Sequence, residues 1–314
     1  MGFEELLGNE RLKENLISSL SRGRVSHFYL ISGPAGSGKH TLARLLTAAI
    51  LCQGGDKPCG HCGPCRKVLE GNHPDVITVD DPEHKTVAVK QVRQAREDVF
   101  IRPNEADHKI YLFPQELGTE GQNALLKILE EPPSYGVFIL LTDNADKLLP
   151  TVRSRCTELA LRSLDADTLE KALGTRFPAT PAEDIRAAAW RSGGWLGQAV
   201  SLLENGAASA RTESFARAYG ARDPLALTQL LAPMEKWKRD QLIPELESWI
   251  RLVENALATR AGLPAASALE RELSNQRSSQ ELMNALRSLR TGLDYTQRNI
   301  SPGAVCGWLQ WELR

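Results

Sequence analysis

The sequence predicts an α/β domain on a parallel sheet, with all-helical domains after it. Three observations carry that reading. Short β-rich runs alternate with helical periodicity through the first half of the chain, the pattern of strands covered by crossover helices. A glycine-rich loop joins an early strand to a helix, as phosphate loops do. After about Leu164 the strand signals stop, and helical segments separated by Gly and Pro run to the C-terminus. At 314 residues there is room for two or three domains, and 42% apolar with 25% charged residues is ordinary globular composition.

The strands are expected at "HFYLIS" (27–32), "DVITV" (75–79), "KIYLF" (109–113), "GVFILLT" (136–142) and "TELAL" (157–161). A helix over 39–52 presents Leu42, Leu45, Leu46, Ala49 and Ile50 along one side. Further helices are read in "VKQVRQAREDVF" and "GQNALLKILEE", the second stopped by Pro132 and Pro133. A small helical unit follows at 165–206 and a larger one after it. There Leu282, Leu286, Leu289 and Leu293 step by four, three and four, an apolar stripe expected to pack inside its own bundle.

The first residues, "MGFEELLGNERLKENL", are charged too early for the apolar core of a signal peptide, and no apolar run has the length of a membrane span, so a soluble cytoplasmic protein is expected. A formal net charge of −1 gives none of the electrostatic footprint of a strongly basic nucleic-acid domain.

Gly33, Gly38 and Lys39 in "GPAGSGKHTLA" fit G-x-x-x-x-G-K, with Gly36 an extra glycine. In such a loop backbone N–H groups and the helix N-terminus cradle phosphate, and the lysine reaches the outer phosphates. The residue that ordinarily supplies a hydroxyl to Mg²⁺ is here His40. Thr41 cannot simply replace it, because one step along a helix swings the side chain by about 100°. The strand that should end in an acidic pair, "KIYLF", runs instead into Pro114, Gln115 and Glu116. Gly33, Gly36, Gly38, Lys39, His40 and Thr41 are therefore read as a degenerate loop that binds ATP or ADP weakly, without hydrolysis.

Cys52, Cys59, Cys62 and Cys65 form C-x6-C-x2-C-x2-C, with Gly and Pro between them to turn the chain. Four thiolates suit a closed, tetrahedral structural Zn²⁺. His61 is a rival ligand, and reduced thiols or disulfides are the bland alternative. Cys156 and Cys306 stand apart, and Cys156 reads as a small core residue.

"LLGNERLKENLISSLSRGRVSHFYLISGPAGSGKH", the four-cysteine insertion, "NHPDVITV", "VKQVRQ", "GQNALLKILEEPP" and "KLLPTVRSRC" follow one another in an order that resembles the bacterial clamp-loader family of the DNA polymerase III holoenzyme. Within it, the likeness is to the delta prime members. A weaker likeness continues through "SGGWLGQAVSLLE" and "YTQRNISPGAVCGWLQWEL". The resemblance implies an AAA+ P-loop domain (1–163, with a zinc module at about 52–65), a small helical lid (164–207) and a helical collar (208–314). It implies the delta and gamma or tau subunits, the sliding clamp and primed DNA as partners, in replication. It also implies a decayed ATP site, with Gly197 where a motor subunit would carry a nucleotide-sensing arginine, and Arg155 in "SRC" as a finger projecting into a neighbour's ATP site. Arg153, two residues away, is the natural comparison. The rival readings are an active ATPase, either a gamma/tau-like motor or a related DNA-repair AAA+ protein, and a free-standing zinc-dependent nucleic-acid binder.

Overall fold

The structure is a computed structural model that describes residues 2–82, 84, 86–204, 210–263, 265, 267–298 and 300–314. In chain order its first elements are α1 (Glu10–Ser21), β1 (Phe28–Ser32), α2 (Lys39–Leu51), α3 (Gly63–Leu69), β2 (Val76–Thr78), β3 (Thr86–Val87), α4 (Val89–Asp98), β4 (Lys109–Phe113), β5 (Glu116–Leu117), α5 (Thr119–Glu130), β6 (Gly136–Thr142), α6 (Pro150–Arg153) and β7 (Thr157–Ala160). Among the described residues the α-helices that follow are α7 (Ala166–Arg176), α8 (Ala182–Arg191), α9 (Leu196–Glu204), α10 (Ala210–Gly220), α11 (Pro224–Leu231), α12 (Arg239–Arg260), α13 (Ala268–Gln276), α14 (Ser279–Gln297) and α15 (Pro302–Glu312). No helix among the described residues is long and apolar enough to cross a membrane.

Five strands form one parallel sheet in the order β2-β4-β6-β1-β7, and β3 pairs with β5 in a separate parallel ladder. The central strands β1 and β6 are buried at every position because helices cover both faces of the sheet. Tyr29 and Ile31 of β1, with Val137, Ile139 and Leu141 of β6, enter the core shared with α1 and α2. Their neighbours Phe28, Leu30, Phe138 and Leu140 enter the opposite core, shared with α4 and α5. In that second core Phe28 and Phe138 stack with ring centroids 4.6 Å apart. The apolar side read for α2 is buried in full: Leu42, Leu45, Leu46, Ala49 and Ile50 all lie in the first core.

The chain divides into two compact units, one made of residues up to Leu169 together with Gly193–Gln198, the other of Glu170–Ser192 and Ala199–Arg314. The second is helical and has its own core, where Trp249 is fully buried and stacks on Phe215 at 4.5 Å. Leu282, Leu286 and Leu289 of α14 are buried there, and the half-buried Leu293 packs against the same core, so the stripe faces its own bundle. The expected three-part division into 1–163, 164–207 and 208–314 differs from these two units, which divide residues 164–207 between them, and its second boundary lies outside the described residues.

Candidate functional site

β1 ends at Ser32 and α2 begins at Lys39, so the loop 33–38 lies at the C-terminal end of a central strand, where the crossover leaves room for a ligand. Gly36 (φ 76°) and Gly38 (φ 94°) take backbone conformations that side chains disfavour, which is why the turn needs glycine. Lys39 is buried, and its Nζ donates to the carbonyl oxygens of Gly33 and Pro34 (3.0 Å) and to Asp143 Oδ1 (2.6 Å). An ammonium has three N–H donors, and all three are taken by the chain itself. Ser37 Oγ, in the same loop, is buried without a hydrogen-bond partner among the described residues, a polar atom that an anion or water at the loop would satisfy.

Asp143 directly follows β6, the strand beside β1, and was not singled out in the sequence. The signal was present: Asp143 and Asn144 are the first residues after the seven buried ones of β6, at the same end of the sheet as the phosphate loop. His40 is exposed. Desolvation of its inner flank and the adjacent Lys39 charge lower its pKa, with Asp143 acting in the opposite direction. A neutral imidazole there is a poor ligand for a hard cation.

β4 stops at Phe113, before Pro114. The Gln115 amide clamps the loop after β2, accepting from Asp81 N (2.7 Å) and donating to the carbonyls of Asp81 (2.9 Å) and His84 (3.0 Å). Glu116 opens β5, and its carboxylate accepts from Lys147 Nζ at 2.9 and 3.0 Å. The first carboxylate after β4 is thus held by a cation of its own chain.

Residues 193–198 cover the loop. Gly197 N donates to Gly36 O (2.9 Å) and Gln198 Nε2 to Ala35 O (2.8 Å). A Cβ on Gly197 would lie 2.6 Å from Gly36 Cα, and one on Gly36 would lie 2.6 Å from Gln198 N. Any side chain at Gly197, an arginine included, would force these backbones apart.

The four cysteines gather at the other end of α2. Cys52 is the C-cap of α2, Cys62 the N-cap of α3, Cys65 lies in α3, and all four Sγ atoms lie within 4.8 Å of one another. Two of the pairs, Cys59–Cys65 and Cys52–Cys62, are 4.0 Å apart. Four sulfurs at about 2.3 Å from a central Zn²⁺ would sit nearly that far from one another, so the donor set fits a tetrahedral zinc. Amides point at the sulfurs: Gly54 N (3.3 Å) and Cys59 N (3.4 Å) donate to Cys52 Sγ, and Cys62 N (3.3 Å) to Cys59 Sγ. Such bonds favour thiolate over thiol, whereas burial pushes the Cys52 and Cys65 thiols up. At Cys59, the Cys62 amide and then the His61 amide bring the pKa down to about 6. His61 itself is exposed, with Nδ1 3.0 Å from Cys59 O, and is not one of the clustered groups.

Arg155 sits in the turn between α6, which ends at Arg153, and β7. It is exposed, its Nη1 donating to Thr151 O (3.0 Å) and its Nη2 to Glu130 Oε1 (3.2 Å). The register Tyr29↔Thr157 and Ser32↔Ala160 puts Arg155 at the opposite end of the sheet from the phosphate loop. Four residues of strand, about 13 Å, already separate the levels of Thr157 and Gly33. Arg153 is bound on two sides, to Asp146 (2.6 Å) and Glu158 (3.1 Å). Cys156 is half-buried, with its thiol pushed up to about 11 by burial.

Residues 8–165 match the family described as DNA polymerase III, delta subunit. The chain is 34% identical over 215 residues to the DNA polymerase III subunit tau of Escherichia coli, covering 66% of this chain and 33% of that protein. It is 36% identical over 178 residues to the subunit gamma/tau of Mycobacterium tuberculosis, covering 54% and 30%. It therefore spans about a third of the length of these curated relatives. A solved gamma subunit-related protein from Thermotoga maritima aligns over 96% of this chain and 99% of its own at 17% identity, with a TM-score of 0.45. With the family matched across half of its length, on the domain that carries the loop, the knuckle and the arginine, the chain belongs to the DNA polymerase III delta-subunit family of clamp-loader proteins.

Proposed function

We propose that this chain is a delta prime-type clamp-loader subunit. It does not hydrolyse ATP itself, it carries a structural zinc at Cys52, Cys59, Cys62 and Cys65, and it supplies Arg155 to ATP held by a neighbouring gamma or tau subunit. In this reading its AAA+ domain, lid and collar assemble with delta and gamma or tau into a ring that places the sliding clamp on primed DNA. The observation that carries it is the position of Arg155, exposed and at the far end of the sheet from its own phosphate loop. A guanidinium placed there serves a phosphate only if another subunit brings one. The spent donors of Lys39, the pairing of Glu116 with Lys147 and the absence of a side chain at Gly197 support a loop that no longer turns nucleotide over.

The test is the ATPase rate of the reconstituted loader with clamp and primed DNA. Arg155→Ala should lower the rate at the site it serves by on the order of 10³, and the whole-complex rate by less where other sites keep firing. Arg155→Lys should not restore it, because an ammonium lacks the planar fork. Arg153→Ala is the control, and equal rates for wild type and Arg155→Ala complexes would refute the role. A second reading, a gamma/tau-like motor, is favoured by the names of the relatives. It predicts steady hydrolysis by the isolated chain that disappears in Lys39→Ala.

A further inference from the structure

β7 is the last strand of the sheet, and its outer edge borders a groove of about 800 Å³ under α1. Leu161 N donates to Ser32 O, and with Ser32 paired to Ala160 the alternation turns the N–H and C=O groups of Thr157, Leu159 and Leu161 toward β1. Those of Glu158, Ala160 and Arg162 point away from it. At Arg162 this outward pair is occupied: Asn9, in a left-handed conformation, accepts from Arg162 N (2.8 Å) and donates to Arg162 O (3.3 Å). One amide side chain thus does what a residue of an adjacent strand would do. Below it, the outward N–H and C=O groups of Glu158 and Ala160 have no backbone or side-chain hydrogen bond among the described residues.

The charges around this edge are one-sided. Both carboxylates that line the groove are matched, Glu10 by Lys13 (2.9 Å) and Glu158 by Arg153 (3.1 Å). Arg11, Arg24 and Arg162 also line it, all are exposed, and none has an ion pair among the described residues. We infer that this groove takes an extended acidic segment of a partner protein, which adds to the edge of β7 as a parallel or antiparallel strand. Main-chain bonds to Glu158 and Ala160 hold the segment, and Asp or Glu side chains meet the three arginines. Strand edges left open are ordinarily shielded, and here α1 shields only the Arg162 end, through Asn9. A nucleic-acid strand would also meet the arginines, but it offers no peptide ladder to the open amides.

The test uses the full chain and a fluorescein-labelled probe of about six residues alternating Asp or Glu with Val, long enough at roughly 3.3 Å per residue to cover β7. A second probe has Pro in place of each Val, and a third is single-stranded oligothymidylate. The first probe should bind and should slow amide hydrogen exchange at Glu158 and Ala160. Arg24→Glu and Arg162→Glu should each weaken it by about tenfold or more. The proline probe, with the same charge but no ladder donors at alternate positions, should bind much more weakly. Failure of the first probe to bind, binding without slowed exchange, or equal binding of the proline probe would overturn the inference. So would oligothymidylate binding as tightly as the peptide with the same arginine dependence. None of these readouts depends on ATP hydrolysis, so the outcome is independent of the role of Arg155.

Discussion

The two ends of α2 each carry a motif, and the chain has treated them differently. At the C-terminal end four sulfurs converge, and the amides around them point at sulfur, so the surroundings reinforce the set of ligands that the spacing suggests. At the N-terminal end the glycines and lysine of a phosphate loop are kept, but the lysine that would meet nucleotide is engaged by its own chain, and the loop's carbonyls are covered from 197–198. Lys39 is held by Asp143 and two loop carbonyls, and Gly36 is roofed by Gly197. A motif names the atoms available for a ligand, and whether they serve it depends on rivals brought in from elsewhere in the sequence. Among the described residues no side chain from outside the knuckle bonds its sulfurs, which meet only one another and backbone groups of α2 and of the knuckle itself, whereas the loop is engaged from residue 143 and from residues 197–198.

The largest effect should come from the metal end. Structural zinc in small modules is bound with apparent free energies on the order of 10 kcal/mol, and the binding energy is folding energy for the segment. Protein purified without chelator should hold one zinc per chain. Stripping it, or Cys62→Ser, should collapse the exchange protection of the Gly54, Cys59 and Cys62 amides while leaving β1 and β6 protected. Metal-free protein with those amides still protected would mean that the cysteines pack as ordinary core residues.

A smaller loss is expected at the roof of the phosphate loop. Gly36→Ala adds a side chain at φ 76° and 2.6 Å from Gln198 N, so the 193–198 segment must lift. A cost of about 1–3 kcal/mol is expected, read as a lower Tm with faster exchange of the Gly197 amide. An unchanged Tm would show that the cover is loose, and the contrast between the two ends of α2 would weaken. Asp143→Asn should cost less than about 1 kcal/mol, because Asp143 is more than half exposed. By releasing one donor of Lys39 it should tighten ADP binding measured by calorimetry. Weaker binding instead would make Asp143 a nucleotide ligand and favour the motor reading.

Much of the fold was legible because both faces of the sheet are covered. The five strands expected from apolar runs were found within a residue or two of their expected bounds, from "HFYLIS" at Phe28–Ser32 to "TELAL" at Thr157–Ala160. The ladder of β3 with β5 was not legible, since two-residue strands have no periodicity and Thr86 meets Glu116 only through tertiary contact. At the site, the cysteine cluster and the loop could be read from local spacing. Asp143, Lys147 and the Gly197 roof could not, because each acts on a residue 31 to 161 positions away. Arg155 was legible as a residue but not as a place: its turn, and its remoteness from its own loop, depend on the register of β7 against β1.

The smallest and sharpest test of the contrast is the titration of His40. Desolvation and then the Lys39 charge lower its pKa below the ordinary 6.5, and Asp143 opposes them. In the unfolded chain the ring binds its proton at about 6.5, so between that value and the lower folded one the unfolded state holds more protons. Stability from this group is therefore complete above about pH 6.5 and declines as pH falls through the folded pKa. The residue is exposed, so the slope should be shallow, and His40→Gln should remove it. NMR titration of the ring carries the argument further. Asp143→Asn should move the pKa lower still, by removing the one group that favours the charged ring, and Lys39→Ala should move it up. If neither variant moves it, the Lys39–Asp143 pair is not seated against His40 in solution, and the account of the loop as filled by its own chain fails with it.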